Sequence, residues 1–133
     1  MRILYLLDTN TVSLALRGHA AGVVERLHAT ERDDVAISVI TAMELRFGVA
    51  KNPTTRVRHV VEEFLEVIAV QSIDRTVEKA YGDLRAALER QGRPIGALDT
   101  IIAAHAVALD AVLVTNNKKE FRRVRGLRCE DWT

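Results

Sequence analysis

Asp8, Glu44 and Asp99 are acidic residues whose settings in the chain suit them to chemistry, because each stands beside an apolar run rather than in a polar stretch. Asp8 follows the run Ile3-Leu4-Tyr5-Leu6-Leu7 and precedes Thr9-Asn10, which places it at the carboxyl end of a strand where a helix begins. As a helix N-cap it would contribute about 1 kcal/mol; as a ligand it would face the sheet edge. Glu44 lies beside the stripe Ile40, Met43 and Phe47, one turn into the helix that follows the run ending near Val39. A solvated helix position is the competing account of it. Asp99 falls in the first turn of a helix whose face is Leu98, Ile101, Ile102, His105 and Leu109. An acid there also suits the helix dipole, by roughly 0.3–1 kcal/mol. A further cluster, Thr115-Asn116-Asn117-Lys118-Lys119-Glu120-Phe121, follows the run Ala111 to Val114 and reaches the same edge. Its Thr and Asn residues also suit ordinary cap chemistry.

Singly, none of these acids compels a function. Together they fall after the first strand, on the helix after the second, and on a helix before another, so all can converge on one crevice. Clustered carboxylates either take raised pKa values or are neutralised by cations. Oxygen ligands of this kind suit Mg2+, with Mn2+ as a substitute, and these ions commonly bind through one or two carboxylates plus substrate phosphate. Phosphodiester hydrolysis, with one or two ions, is the chemistry that follows.

The elements that must position these residues can be read from apolar patterning. Ile3 to Leu7, Val35 to Val39 and Ala111 to Val114 are continuous apolar runs, as buried parallel strands require. Val67 to Val70 is a weaker strand candidate, and Leu127 to Trp132 a candidate edge strand. Helical spacing marks Thr11 to Arg17, Ala20 to Ala29, Thr41 to Ala50, Thr55 to Glu66, Thr76 to Arg90 and Ala97 to Leu109. The alternation predicts an α/β fold, a central mainly parallel sheet flanked by helices, with ligands gathering outside the carboxyl ends of the strands. Residues 1–133 form a single domain in this reading, and domains commonly run about 100–150 residues.

Composition is globular: 48% hydrophobic and 28% charged, with Lys and Arg at 19 against Asp and Glu at 18, so net charge points to no partner. Its distribution says more, since Lys118, Lys119, Arg122, Arg123, Arg125 and Arg128 face only Glu120 in one strip. Lys118, Lys119, Arg122 and Arg123 are candidate contacts for an RNA backbone, with a solvated helix as the alternative. The lone Cys129 has no internal disulfide partner, and the N-terminal apolar run is too short for a secretory or membrane-spanning segment. A cytoplasmic location without membrane association is the expectation.

Leu7-Asp8-Thr9-Asn10, Ile40-Thr41-Ala42-Met43-Glu44-Leu45-Arg46-Phe47-Gly48, Asp99-Thr100-Ile101-Ile102-Ala103-Ala104-His105-Ala106, Val114-Thr115-Asn116-Asn117 through Glu120-Phe121, and Glu130-Asp131-Trp132 resemble the successive motifs of VapC proteins. They occur in the family's order and spacing, across essentially the whole chain. The resemblance implies the PIN fold, a metal-dependent endoribonuclease toxin, and a VapB antitoxin that wraps the toxin and blocks its acidic site. It also implies a toxin homodimer within a larger toxin–antitoxin complex. Residue matching makes Asp8, Glu44 and Asp99 the catalytic metal-binding acids, with Thr9, Thr115, Asn116, Asn117 and Glu120 in supporting roles. One departure stands out: Asn117 occupies a position where many PIN domains carry a fourth aspartate, and Glu120 is the nearby acid that could compensate. The motif variants are most similar to the enteric-type VapC group, whose members cut initiator tRNA in the anticodon region.

Other residues draw structural expectations. His105 reads as a satisfied core histidine, Trp132 as a clamp on the terminus, and Asp110 as a turn acid. The apolar residues of the first helices, Val12, Leu14, Leu16, Val23, Val24 and Leu27, serve the core and would also contribute to an antitoxin groove or a dimer surface. Two rival functions are a phospho-receiver, for which Val39-Ile40-Thr41 offers no acceptor Asp, and a noncatalytic RNA-binding module, which leaves the three acids unexplained.

Overall fold

The apolar runs pair as strands because each can bury both of its faces. In a computed structural model describing residues 2–133, β1 (Tyr5–Leu7), β2 (Val35–Ser38), β3 (Ala69–Gln71), β4 (Val112–Val114) and β5 (Cys129–Glu130) form one sheet. Its order is β3-β2-β1-β4-β5 and every pairing is parallel. The register sets Leu6 opposite Ala36 and Leu113, and Leu7 opposite Ile37 and Val114. Side chains alternate along a strand, so these two rows feed separate cores. Leu6, Ala36 and Leu113 pack with Leu88, Ile102 and Phe121, while Leu7, Ile37 and Val114 pack with Val12, Val23, Val61 and Trp132.

The helices are α1 (Thr9–Leu16), α2 (Ala21–Ala29), α3 (Val39–Lys51), α4 (Thr55–Val67), α5 (Arg75–Arg90), α6 (Ala97–Leu109) and α7 (Lys118–Phe121). Helix α1 starts earlier than its apolar period suggested because Asp8 caps it, accepting from the Thr11 amide at 2.9 Å. Strand β2 stops at Ser38, not Val39, for the same kind of reason: the Ser38 hydroxyl accepts from the Ile40 amide at 3.1 Å and starts α3. The Val67–Val70 candidate shifts to Ala69–Gln71, since Val67 still belongs to α4.

The expected α3 face is corrected, and the expected α6 face holds at Ile102, His105 and Leu109 but not at Leu98. In α3 the buried residues are Thr41 and Leu45, whereas Met43 is 61% and Phe47 66% exposed. In α6 Leu98 is exposed, and the buried side carries Thr100, Ile102, Ala103, Ala104, His105 and Ala106. In α3 a polar residue, Thr41, faces inward while Met43 and Phe47 face out, and α6 is apolar on nearly every side, so its pattern could not set the edge of the inward face. Among the first-helix residues, Val12 and Val23 are core and Val24 is exposed. Asp110 adopts the left-handed conformation at the end of α6, φ 53°, and its carboxylate is clasped by Arg2 and Arg128. Trp132 is buried, meets Tyr5 edge-on at 5.1 Å and donates from Nε1 to Glu130 at 3.0 Å, clamping the terminus as expected. No described helix is long and apolar enough to cross a membrane.

Candidate active site

The carboxyl ends of β1, β2 and β4 meet at one edge, and the register delivers Asp8, Ser38 and Thr115 there. Asp8 extends the β1 ladder by donating its amide to the Val114 carbonyl at 3.0 Å. Its side chain is only 3% exposed. Burial therefore raises its pKa, while the Thr115 hydroxyl and the Thr11 amide hold it back and the charge of Asp131 pushes it further up. The N-cap role and the sheet-edge position thus belong to one carboxylate.

Glu44 reaches the same edge from α3 and is fixed by hydroxyls. Thr9 donates to Glu44 Oε1 at 2.6 Å, which leaves the Thr9 oxygen free to accept from Thr41 at 3.0 Å. Thr41 is fully buried, so this chain of donors satisfies a core hydroxyl and aims the acid together. Asp99, in the first turn of α6, is half-buried and its pKa is pushed up to about 6. Desolvation is the main cause, followed by the negative charges of Glu120, Asp8 and Glu44. The three acids expected from the sequence therefore share one electrostatic neighbourhood, and Glu120 joins them.

Glu120 also ties loops together, accepting from the Gly96 amide at 3.2 Å and from the Asn117 side chain. Asn117 in turn donates its amide to the Thr115 hydroxyl at 2.9 Å. Asn116 accepts from the Asn10 side chain at 2.8 Å, linking α1 to the segment after β4. Asn10 had a place in the first motif but no role in the sequence reasoning. Also unforeseen is the pair beneath the site: the fully buried His105 ring meets the Ser38 hydroxyl through Nδ1 at 2.9 Å, joining α6 to the start of α3. Burial lowers the His105 pKa. It is the satisfied core histidine that its apolar surroundings implied.

The basic strip is divided. Lys118 is half-buried, Lys119 and Arg122 are exposed, and Arg123 donates to the Pro94 carbonyl at 3.0 Å. Arg128 is diverted to Asp110 at the opposite end of α6. The strip is not one continuous cationic face.

No ion pair among the described residues involves Asp8, Glu44, Asp99 or Glu120. Clustered carboxylates, with the Asp8 and Asp99 pKa values raised and no ion-pair partner, fit a divalent ion electrostatically. No three His, Cys, Asp or Glu side chains among the described residues stand close enough to hold an ion by themselves. The arrangement suits an ion that keeps several waters and takes one or two carboxylates.

Comparison with known proteins gives a consistent answer. Residues 5–127 match the PIN domain family. The tRNA(fMet)-specific endonuclease VapC of Shigella flexneri is 40% identical over 130 residues, 97% of this chain and 98% of that protein. Ribonuclease VapC2 of Rickettsia felis is 36% identical, covering 98% of each chain. Among solved structures, DNA-bound VapBC from Salmonella typhimurium superimposes with a TM-score of 0.92 at 37% identity, over 98% of this chain and 99% of that one.

Proposed function

Because the chain belongs to the PIN-domain family, and within it to the VapC proteins, we propose that it is a divalent-metal-dependent endoribonuclease, the toxin of a type II toxin–antitoxin pair. Its substrate is a tRNA, with the initiator tRNA anticodon region first in line, and cutting it inhibits translation. The observation that carries this reading is the acid cluster at the carboxyl edge of the sheet, without an ion-pair partner among the described residues, where partial burial and then the charges of Glu120, Asp8 and Glu44 push the Asp99 pKa up to about 6.

Asp8, Asp99 and Glu44 are the residues that would hold the ion, Mg2+ or Mn2+, one or two in number. When bound it supplies charge neutralisation at the phosphate and a nucleophilic water at neutral pH. The chain's own residues do the positioning. Thr9 and Thr41 fix Glu44, the α1 N-cap fixes Asp8, and Glu120 braces the start of α6 through Gly96. Thr115 and Asn116 would orient a coordinated water, and Asn117 holds Glu120 in place of supplying a further charge. Lys118, Lys119, Arg122 and Arg123 are the candidate contacts for the RNA backbone, with Lys119 and Arg122 exposed for it.

A groove of about 520 Å³ starts at Thr9 and Glu44 and runs between α1, α3 and α4 past Leu16, Val49, Val57 and Val61. An apolar antitoxin segment laid along it, as expected of a VapB-type partner, would cover Glu44 and lead to the edge of the acidic crevice. Exposed Met43 and Phe47 offer an apolar face for a toxin homodimer inside the larger complex.

Purified protein incubated with total RNA and a tRNA fraction, with magnesium or manganese and with chelator, tests the reading. Discrete fragments that require metal and vanish in folded Asp8→Asn and Asp99→Asn variants are expected. Absence of cleavage under every metal, with RNA binding unchanged in the variants, would replace it with a noncatalytic RNA-binding module.

A further inference from the structure

Outside the acidic crevice, a groove of about 610 Å³ lies between α5, α6 and the segment after α7. Its floor is aliphatic, including Leu84 and Val107, and its rim carries Arg75, Lys79, Arg123 and Arg125. Lys79 is paired with Asp83 at 2.9 Å, but Arg75 and Arg125 are exposed and enter no ion pair among the described residues. The segment that carries Arg123 ties the groove to the loop before the Asp99 helix. Arg123, which lines the groove, donates to the Pro94 carbonyl at 3.0 Å, and Glu120 of the same segment holds the Gly96 amide at the start of the Asp99 helix.

We propose that this basic-rimmed groove holds the structured, base-paired part of the substrate RNA while the single-stranded segment to be cut enters the acidic crevice. The inference rests on the ribonuclease reading and adds an exosite to it. Three features support it. Free arginines match phosphates, which they bind through forked hydrogen bonds. No aromatic side chain lines the groove, so it lacks the stacking platforms with which proteins capture splayed single-stranded bases; backbone contact with a duplex needs none. Length also fits: α5 has 16 residues, and at 1.5 Å per residue it extends about 24 Å, enough to track a stem leading away from the cut.

The test is the double charge reversal Arg75→Glu/Arg125→Glu, two exposed changes outside the crevice. Binding is measured in the Asp99→Asn background with chelator, for a full-length tRNA and for a short single-stranded oligonucleotide spanning a mapped cleavage site. For the tRNA, Kd should rise at least tenfold and the slope of log affinity against log salt should fall by about two, near one per lost phosphate contact. For the oligonucleotide, Kd should stay within about twofold, and with Asp99 restored its cleavage rate should hold while KM for the tRNA rises. An unchanged tRNA Kd and salt slope, or an equal loss for both RNAs, would overturn the groove. Failure of the wild-type protein to cut the tRNA would instead overturn the ribonuclease reading, and the tRNA Kd and salt slope of the double variant would still decide the groove.

Discussion

Replacing Asp99 with Asn should stabilise the metal-free protein while abolishing cleavage. The carboxyl ordinarily titrates at 3.8 and here titrates at about 6, because it is partly desolvated and faces Glu120, Asp8 and Glu44. At about 1.4 kcal/mol per pH unit between those values, the ionised form costs the fold at most about 3 kcal/mol. The side chain is only half-buried, so screening reduces this to about 1–2 kcal/mol, or about 4–8 °C in Tm for a domain of this size. The direction in pH is fixed. Between 3.8 and about 6 the folded chain keeps a proton that the unfolded chain has released, so stability falls as pH rises and the penalty is complete above about 6. Thermal unfolding in chelator should therefore place Asp99→Asn above wild type near neutral pH, with the gap closing as pH drops toward 4. Magnesium or manganese should raise the wild-type Tm more than that of the variant, since binding to the folded state stabilises by mass action. A variant that melts at or below wild type in chelator at neutral pH, or a gap that does not narrow with acid, would refute the electrostatic account of the cluster.

Thr9→Val removes the hydroxyl that aims Glu44 and strands the Thr41 hydroxyl; RNA cleavage should drop tenfold or more, with stability lower by about 1–3 kcal/mol, read by single-turnover kinetics and urea unfolding. His105→Leu breaks the buried contact with Ser38 and should cost about 1–3 kcal/mol. Because burial lowers the imidazole from its ordinary 6.5, the neutral ring contributes stability that is present above 6.5 and lost as pH falls toward the folded value. In an Asp99→Asn background, urea titrations across that range should show this acid-side loss, and His105→Leu should remove it. Phe47→Lys, at a side chain that is 66% exposed, should leave Tm within about 0.5 kcal/mol of wild type by free energy and convert a dimer to a monomer in light scattering.

The central strands were legible because a buried parallel strand is a continuous apolar run, and Leu6-Leu7, Ala36-Ile37 and Leu113-Val114 satisfy that on both faces. Helix α3 was legible in extent but not in facing. Its inward residue Thr41 is polar and its outward residues Met43 and Phe47 are apolar, so the hydropathy pattern inverts the true burial. The acids were legible as positions, each at an element boundary, yet each also had a sufficient structural account, and for Asp8 the N-cap account is correct. What separates a capping carboxylate from one in a charged cluster is the company it keeps, and that company is assembled from distant parts of the chain. Thr9 meets Glu44 across 35 positions, Ser38 meets His105 across 67, and Asn10 meets Asn116 across 106. No local pattern encodes such pairs; they follow only once the parallel register has aligned the strand ends. The acids therefore depart from what stability alone would select, since the fold raises the cost of ionising Asp99 and supplies no cation of its own. Local inconsistency of that kind, held in place by an otherwise consistent fold, is how a functional site differs physically from its scaffold.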